Sequence, residues 1–249
     1  MKTGEIDYPK AIGASGRRHA KYKPFSDPDC GRHLVEIGQV ICLLPDTPAR
    51  ILDFGCGSGW TSIFLANHGY DVLGVDIAPG MIELAEERCR EENVSGARFE
   101  VGDFENLNPG GDFDGVLFYD SLHHAEDERA ALKVAFEALK PGGVCVVCEP
   151  GEGHEVNCYS REAVERYNVN EKDMPPRLVR RIGRSLGFTA ADIHPHPFDM
   201  LLAISATGRG VPAAKLRSRL RRFPMLRVLV LNYFAWWRKY SNGIVVLVK

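Results

Sequence analysis

Three glycines at alternate positions, Gly55, Gly57 and Gly59, close the segment ILDFGCGSGW (residues 51–60), directly behind an apolar run that contains Asp53. Glycine permits positive φ and removes the side chains that keep a ligand away from backbone. A helix starting there aims its first N–H groups at the same ligand and favours anionic atoms. The segment therefore reads as a ligand cradle, because a plain turn does not require three such glycines. Carboxylates recur behind it. Asp76 stands about twenty residues on, the distance at which an acidic residue can accept both hydroxyls of a ribose. The same residue could instead cap the helix that begins at Ala78-Pro79. Histidines, the side chains best suited to move a proton near neutral pH, fall in three groups: His123 and His124, His154 in EPGEGHE, and His194 and His196 in HPHP.

The elements that must position these residues alternate along the chain. ARILDFG, YDVLGVDI, ARFEVGDF, FDGVLFYDSL and GVCVVCEP are apolar enough to be strands. SGWTSIFLANHG, PGMIELAEERCREEN and EDERAALKVAFEALKPGG have helical spacing with glycine or proline stops. Near-continuous apolar strands between amphipathic helices predict an α/β fold, a Rossmann-like doubly wound sheet, mostly parallel, with an antiparallel C-terminal strand. Four regions follow: residues 1–47, an N-terminal arm and helix able to serve as a lid; 48–207, the core; 208–240, a basic and aromatic excursion; and 241–249, the final strand. Residues 1–30, broken by Pro9, Pro24 and Pro28, read as a loosely structured arm, and GRHLVEIGQVICLL (31–44) as a helix. RLVRRIGRSLGF is a later helix, TAADIHPHP is compatible with a strand, and DMLLAISATG fits either class.

A dinucleotide fingerprint, G-x-G-x-x-G counted from Gly55, would need glycine where Trp60 stands. The pattern D-x-G-x-G-x-G, in LDFGCGSGW, resembles instead the first motif of the class I S-adenosylmethionine-dependent methyltransferases. VDIAPGMIELA resembles their second strand and helix, VGDFENL their third-strand motif, FYDSLHHAED the fourth-strand end, and LKPGGVCVVCEP the turn and fifth strand. These matches cover residues 50–150 in order. The resemblance implies S-adenosyl-L-methionine as cofactor and S-adenosyl-L-homocysteine as product. It implies a binding set of Asp53, Gly55, Cys56, Gly57, Gly59, Asp76, Ile77, Met81, Asp103, Phe104 and Asp120. Asp76 would take the ribose, Ile77 and Met81 the faces of the adenine, Asp103 and the Phe104 amide its edge, and Asp120 the methionine end. Asp53 would hold the loop or meet the methionine ammonium through water. Tyr8, His19 and Tyr22 of the arm could close over the cofactor, as N-terminal segments do in many members.

Methyl transfer from a sulfonium needs alignment above all, and no universal catalytic residue is expected. Where a hydroxyl is the acceptor, a general base helps. The base candidates are His154, His124 and His123. HPHP has no evident third ligand beside it, so no metal site is expected. The expected acceptor is a small molecule, a saccharide or a lipid-linked glycan, methylated at oxygen.

Residues 209–240 carry nine basic and no acidic residues, leaving 22 basic against 33 acidic residues elsewhere. With Tyr233, Phe234, Trp236 and Trp237, this stretch suits peripheral contact with a membrane, a homodimer or substrate-side packing; a net charge of −2 disfavours nucleic acid. Seven cysteines without a repeating spacing, and no apolar signal core in MKTGEIDYPK, predict a reduced, cytoplasmic protein, in reach of the inner face of a membrane. Two other classes compete. One is a non-catalytic partner protein that keeps the cofactor fold, and the other is a NAD-binding oxidoreductase, which Trp60 disfavours.

Overall fold

The computed structural model describes residues 2–198, 200–201 and 222–249. Its strands are β1 (Arg50–Phe54), β2 (Asp71–Asp76), β3 (Ala97–Val101), β4 (Phe113–Tyr119), β5 (Leu139–Cys148), β6 (Ala190–Pro195) and β7 (Gly243–Val248). They form one sheet in the order β3-β2-β1-β4-β5-β7-β6. Strands β1 to β5 pair in parallel, and β7 runs antiparallel between β5 and β6, with Val147 opposite Val245 and Ile193 opposite Val245 on the other side. The doubly wound sheet and its antiparallel last strand are as the sequence predicts. The order reverses between β1 and β4, so a crevice opens beyond their carboxyl ends.

Both faces of the sheet are covered, which is why its central strands are largely apolar. Leu52, Phe54 and Phe118 face one core, shared with α6 (Glu128–Ala138) and α8 (Pro176–Leu186). Ile51, Leu117 and Val146 face the other, shared with α3 (Cys30–Leu43) and α4 (Trp60–His68). Cys145 and Cys148 of β5 fall into opposite cores, as the strand period requires, so C-x-x-C here forms neither a redox pair nor a metal pair.

The arm departs from expectation. It forms two helices, α1 (Lys2–Ala11) and α2 (Gly13–Tyr22). Helices this short are marginal alone. Tyr8, Ile12 and Ala20 hold them by packing on Ala78, Met81 and Leu84 around α5 (Pro79–Glu91). Ser58 Oγ also donates to the Ala20 carbonyl at 2.5 Å. A second difference is α7 (Cys158–Tyr167), a helix without a counterpart in the sequence reading; its start is capped by Asn157, which accepts from the Ser160 N–H. A third is the end of α6, which stops at Ala138, so that Pro141 and Gly142 lie in β5.

The 208–221 part of the excursion, and most of DMLLAISATG, lie outside the described residues. Residues 224–236 form α9 (Pro224–Trp236), which exposes Met225, Val228, Leu229, Tyr233 and Trp236 along one stripe. Among the described residues, no helix is long and apolar enough to cross a membrane.

Candidate active site

The loop between β1 and α4 lines a cavity of about 340 Å³ at the carboxyl end of the sheet. Its three glycines answer to three different constraints. A Cβ on Gly55 would stand 2.4 Å from Ser121 Cβ, and one on Gly59 would stand 2.8 Å from both Ala85 Cβ and the Phe99 ring. A Cβ on Gly57 would meet nothing within 4 Å. All three have positive φ. Gly59 therefore allows α4 to pack against α5 and β3, whereas Gly57 keeps the cradle open. Gly55, Cys56 and Gly57 line the cavity, and Gly59 does not.

Asp76, at the end of β2, also lines the cavity. It accepts from the Gly57 N–H and the Ala78 N–H, both at 2.9 Å. It thus ties the cradle to the turn that leads into α5. Burial raises its pKa, against the pull of those two N–H donors. Ile77, Met81, Asp103 and Phe104 line the same space. Asp103 is engaged by Lys2 Nζ of α1 at 2.5 Å and by the Glu105 N–H. Burial opposes its ionisation, but Lys2 and these donors prevail and its carboxyl lies below the usual range. Tyr8 and His19 line the cavity as well, while Tyr22 is turned to solvent.

Asp53 does not line it. It is 1% exposed, and its Oδ2 accepts from Thr61 Oγ1 and Ser62 Oγ, both at 2.6 Å. Burial pushes its carboxyl up to about 6 against those two donors. The side chain ties β1 to the first turn of α4 and so fixes the cradle from behind.

A second cavity, of about 380 Å³, adjoins the first. Tyr119, Asp120, Ala163 and Glu171 line both. Asp120 follows β4 in the left-handed region (φ 53), a conformation that concentrates at functional sites. Burial raises its pKa, but Lys23, His123, His124 and Arg32 outweigh that and hold it well below the usual range.

The histidine candidates converge here in different states. His123 is 2% exposed, with Nδ1 2.7 Å from Glu149 Oε2, and lines neither cavity. Glu149 also accepts from the Ser121 and Leu122 N–H groups. His124 lines the first cavity, with Nδ1 2.6 Å from the Asn170 carbonyl and 3.4 Å from Glu5 Oε1. Burial lowers its pKa, but Glu5, Glu171 and Asp120 more than offset this and raise it to about 9. His154 lines the second cavity, and its Nε2 donates to Glu171 Oε2 at 2.5 Å. Glu171 is a residue that local patterns did not single out, because it stands in a polar loop far from any motif. Burial works against its ionisation, but His154 and the neighbouring imidazoles keep it below the usual carboxylate range.

The floor of the second cavity is a buried network around Glu36 of α3. Glu36 accepts from Arg32 Nε at 2.6 Å, His196 Nε2 at 2.8 Å and Tyr119 Oη at 2.5 Å. His33 Nδ1 in turn donates to Tyr119 Oη at 3.0 Å. His196 of HPHP, remote from every motif, is thus a wall of this cavity and 4% exposed.

A family described as "Methyltransferase domain" matches residues 51–143. That stretch holds the cradle, Asp76, Asp103, Asp120 and both His123 and His124. Residues 51–143 are similar to methyltransferase domains. Over 106 residues the chain is 39% identical to a ubiquinone biosynthesis O-methyltransferase of Azorhizobium caulinodans, covering 42% of each protein. Over 99 residues it is 39% identical to an S-adenosyl-L-methionine-dependent Diels-Alderase of Talaromyces variabilis, covering 38% of this chain and 34% of that one. The matches therefore span less than half the length of these relatives. A magnesium protoporphyrin IX methyltransferase from Synechocystis, solved with S-adenosylhomocysteine bound, shares the fold of the methyltransferase domain and its flanks. The TM-score is 0.61 at 18% identity, over the full length of both chains.

The glycine geometry gives a paired prediction for this domain. Gly59→Ala drives a methyl into Ala85 and Phe99 in addition to the cost of left-handed alanine, about 1–2 kcal/mol. Gly57→Ala carries only the backbone cost but fills the cradle. Thermal unfolding should show Gly59→Ala as the less stable variant. Calorimetry with S-adenosylhomocysteine should show Gly57→Ala as the weaker binder among folded variants. The reverse order would reassign the two glycines.

Proposed function

We propose that the protein transfers a methyl group from S-adenosylmethionine to an oxygen of a polar small molecule held in the second cavity. The observation that carries this reading is that the two cavities meet at Asp120 and Glu171. The cradle fits the cofactor, since the space a Gly57 Cβ would occupy is open. When bound, the cofactor supplies an already activated methyl. This chain supplies position. Asp76 would accept the ribose hydroxyls, Ile77 and Met81 would cover the adenine, and Phe104 with Asp103 would meet its edge once Lys2 yields. Asp120 would face the amino-acid end.

The acceptor's hydroxyl would sit against Glu171 and His154. Nε2–H of His154 is committed to Glu171, so Nδ1 is the nitrogen left to accept, and Asn157 Nδ2 stands 3.4 Å from it. The bond to Glu171 orients the ring, which suits general-base assistance. Charged and polar walls, Arg32, His33, Glu36 and His196, favour a polyhydroxylated acceptor such as a saccharide or the head of a lipid-linked glycan. The stripe on α9, with Arg238 and Lys239 beside it, supports contact with an anionic membrane surface or a second copy of the chain.

The test is transfer of labelled methyl from S-adenosylmethionine into a cell extract split into lipid, soluble, protein and nucleic-acid fractions. Label in the lipid or soluble fraction is the expected result, and the lipid fraction would join α9 to the chemistry. Binding of S-adenosylhomocysteine with no label in any fraction would favour the non-catalytic partner.

A further inference from the structure

We propose that His123, His124 and Glu171 form a binding site for a divalent transition metal, zinc above others, at the junction of the two cavities. One ligand atom from each of the three lies within 4.8 Å of the others. A tetrahedral zinc with bonds near 2.0–2.1 Å sets its ligand atoms roughly 3.4 Å apart. His123 Nε2 and Glu171 Oε2 already stand at 3.6 Å.

The partners behind the two rings give the stronger argument. Histidines that hold a metal donate their other ring N–H to a carboxylate or a backbone carbonyl, which fixes the ring and its tautomer. Both arrangements occur here. His123 Nδ1 is 2.7 Å from Glu149 Oε2, and His124 Nδ1 is 2.6 Å from the Asn170 carbonyl. Nε2 is thereby left as the ligand atom on each ring. Glu149 is held in turn by the Ser121 and Leu122 N–H groups. His154 Nε2 holds Glu171 Oε2 at 2.5 Å and so keeps the carboxylate beside His123 Nε2. Two imidazoles and one carboxylate are a donor set suited to zinc or ferrous iron.

Three protein ligands leave a position open, the arrangement of catalytic rather than structural zinc. His124 lines the first cavity and Glu171 lines both, so a metal held there would stand where the two cavities meet. On the methyl-transfer reading, an acceptor hydroxyl bound there would release its proton to water. Its oxygen would then form the new O–C bond as the S–C bond of the sulfonium breaks.

Metal binding can be measured without any methyl transfer. Full-length protein stripped with a chelator is dialysed against zinc, and separately against cobalt. The expected result is one metal per chain by elemental analysis, with the intense visible bands of four-coordinate cobalt. His124→Gln and Glu171→Gln should each lower zinc affinity about 100-fold, and Glu149→Gln by roughly 10–100-fold. His194→Ala, outside the cluster, should bind as wild type. Circular dichroism identifies any variant that does not fold. No bound zinc or cobalt, or equal affinity in His124→Gln, would overturn the proposal and leave an imidazole–carboxylate cluster that holds no ion. Zinc binding without methyl transfer would keep the site and overturn only the chemistry assigned to it.

Discussion

Glu36→Ala should destabilise the protein by about 3–5 kcal/mol, because it leaves Arg32 and His196 beside each other with no anion between them. In a chain of this size that lowers the melting temperature by roughly 10 °C. The same carboxylate should give the protein much of its acid sensitivity. Burial raises the Glu36 pKa, but His196 and Arg32 prevail and bring it down from 4.5 to about 2. Between those values the native state binds fewer protons than the unfolded chain. The stabilisation is complete above pH 4.5 and is lost as pH falls toward 2, in all roughly 3 kcal/mol. Glu36→Gln keeps the shape and removes the titration. Denaturant unfolding of both proteins from pH 7 to pH 2 should therefore show curves that converge as pH falls. Parallel curves would mean that Glu36 is not the carboxylate responsible. Because Tyr119 Oη bonds to Glu36 and Tyr119 walls both cavities, the loss should also be felt at the site.

The second large effect concerns Asp76→Ala. The substitution removes the acceptor from the Gly57 and Ala78 N–H groups and the group that would take the ribose hydroxyls. Hydrogen bonds to a charged acceptor contribute about 1.5–3 kcal/mol each. The affinity for S-adenosylhomocysteine should fall at least about 100-fold. The two freed N–H groups border an open cavity and can turn to water, so the melting temperature should move by only a few degrees. Titration calorimetry beside thermal unfolding separates the two roles. Unchanged affinity with a large loss of stability would make Asp76 a structural staple and nothing more.

What the sequence determined was local and periodic. Apolar runs of strand length and helices closed by Gly69 and Gly187 made the parallel sheet legible, because burial on both faces leaves few polar positions in a central strand. The cradle was legible because Gly55, Gly57, Gly59, Asp76 and Asp103 lie at fixed offsets from strand ends, where the chain itself delivers them to one crevice. Even so, spacing did not separate the tasks of the three glycines. Only neighbours distant in sequence, Ser121 for Gly55 and Ala85 with Phe99 for Gly59, reveal which one the ligand needs. Helices α1 and α2 were missed because their stability comes from packing on α5, which local propensity does not record.

The acceptor side was decided almost wholly by tertiary structure. Glu36, His196 and Tyr119 come from a helix, the end of an edge strand and a central strand, and nothing in their local sequence relates them. Glu171 lies in a loop and becomes informative only where His123 and His154 meet it. A cofactor site at a strand end is fixed by backbone geometry and leaves a pattern in the sequence. The second cavity is assembled from side chains of separate elements, whose proximity exists only once the core has packed.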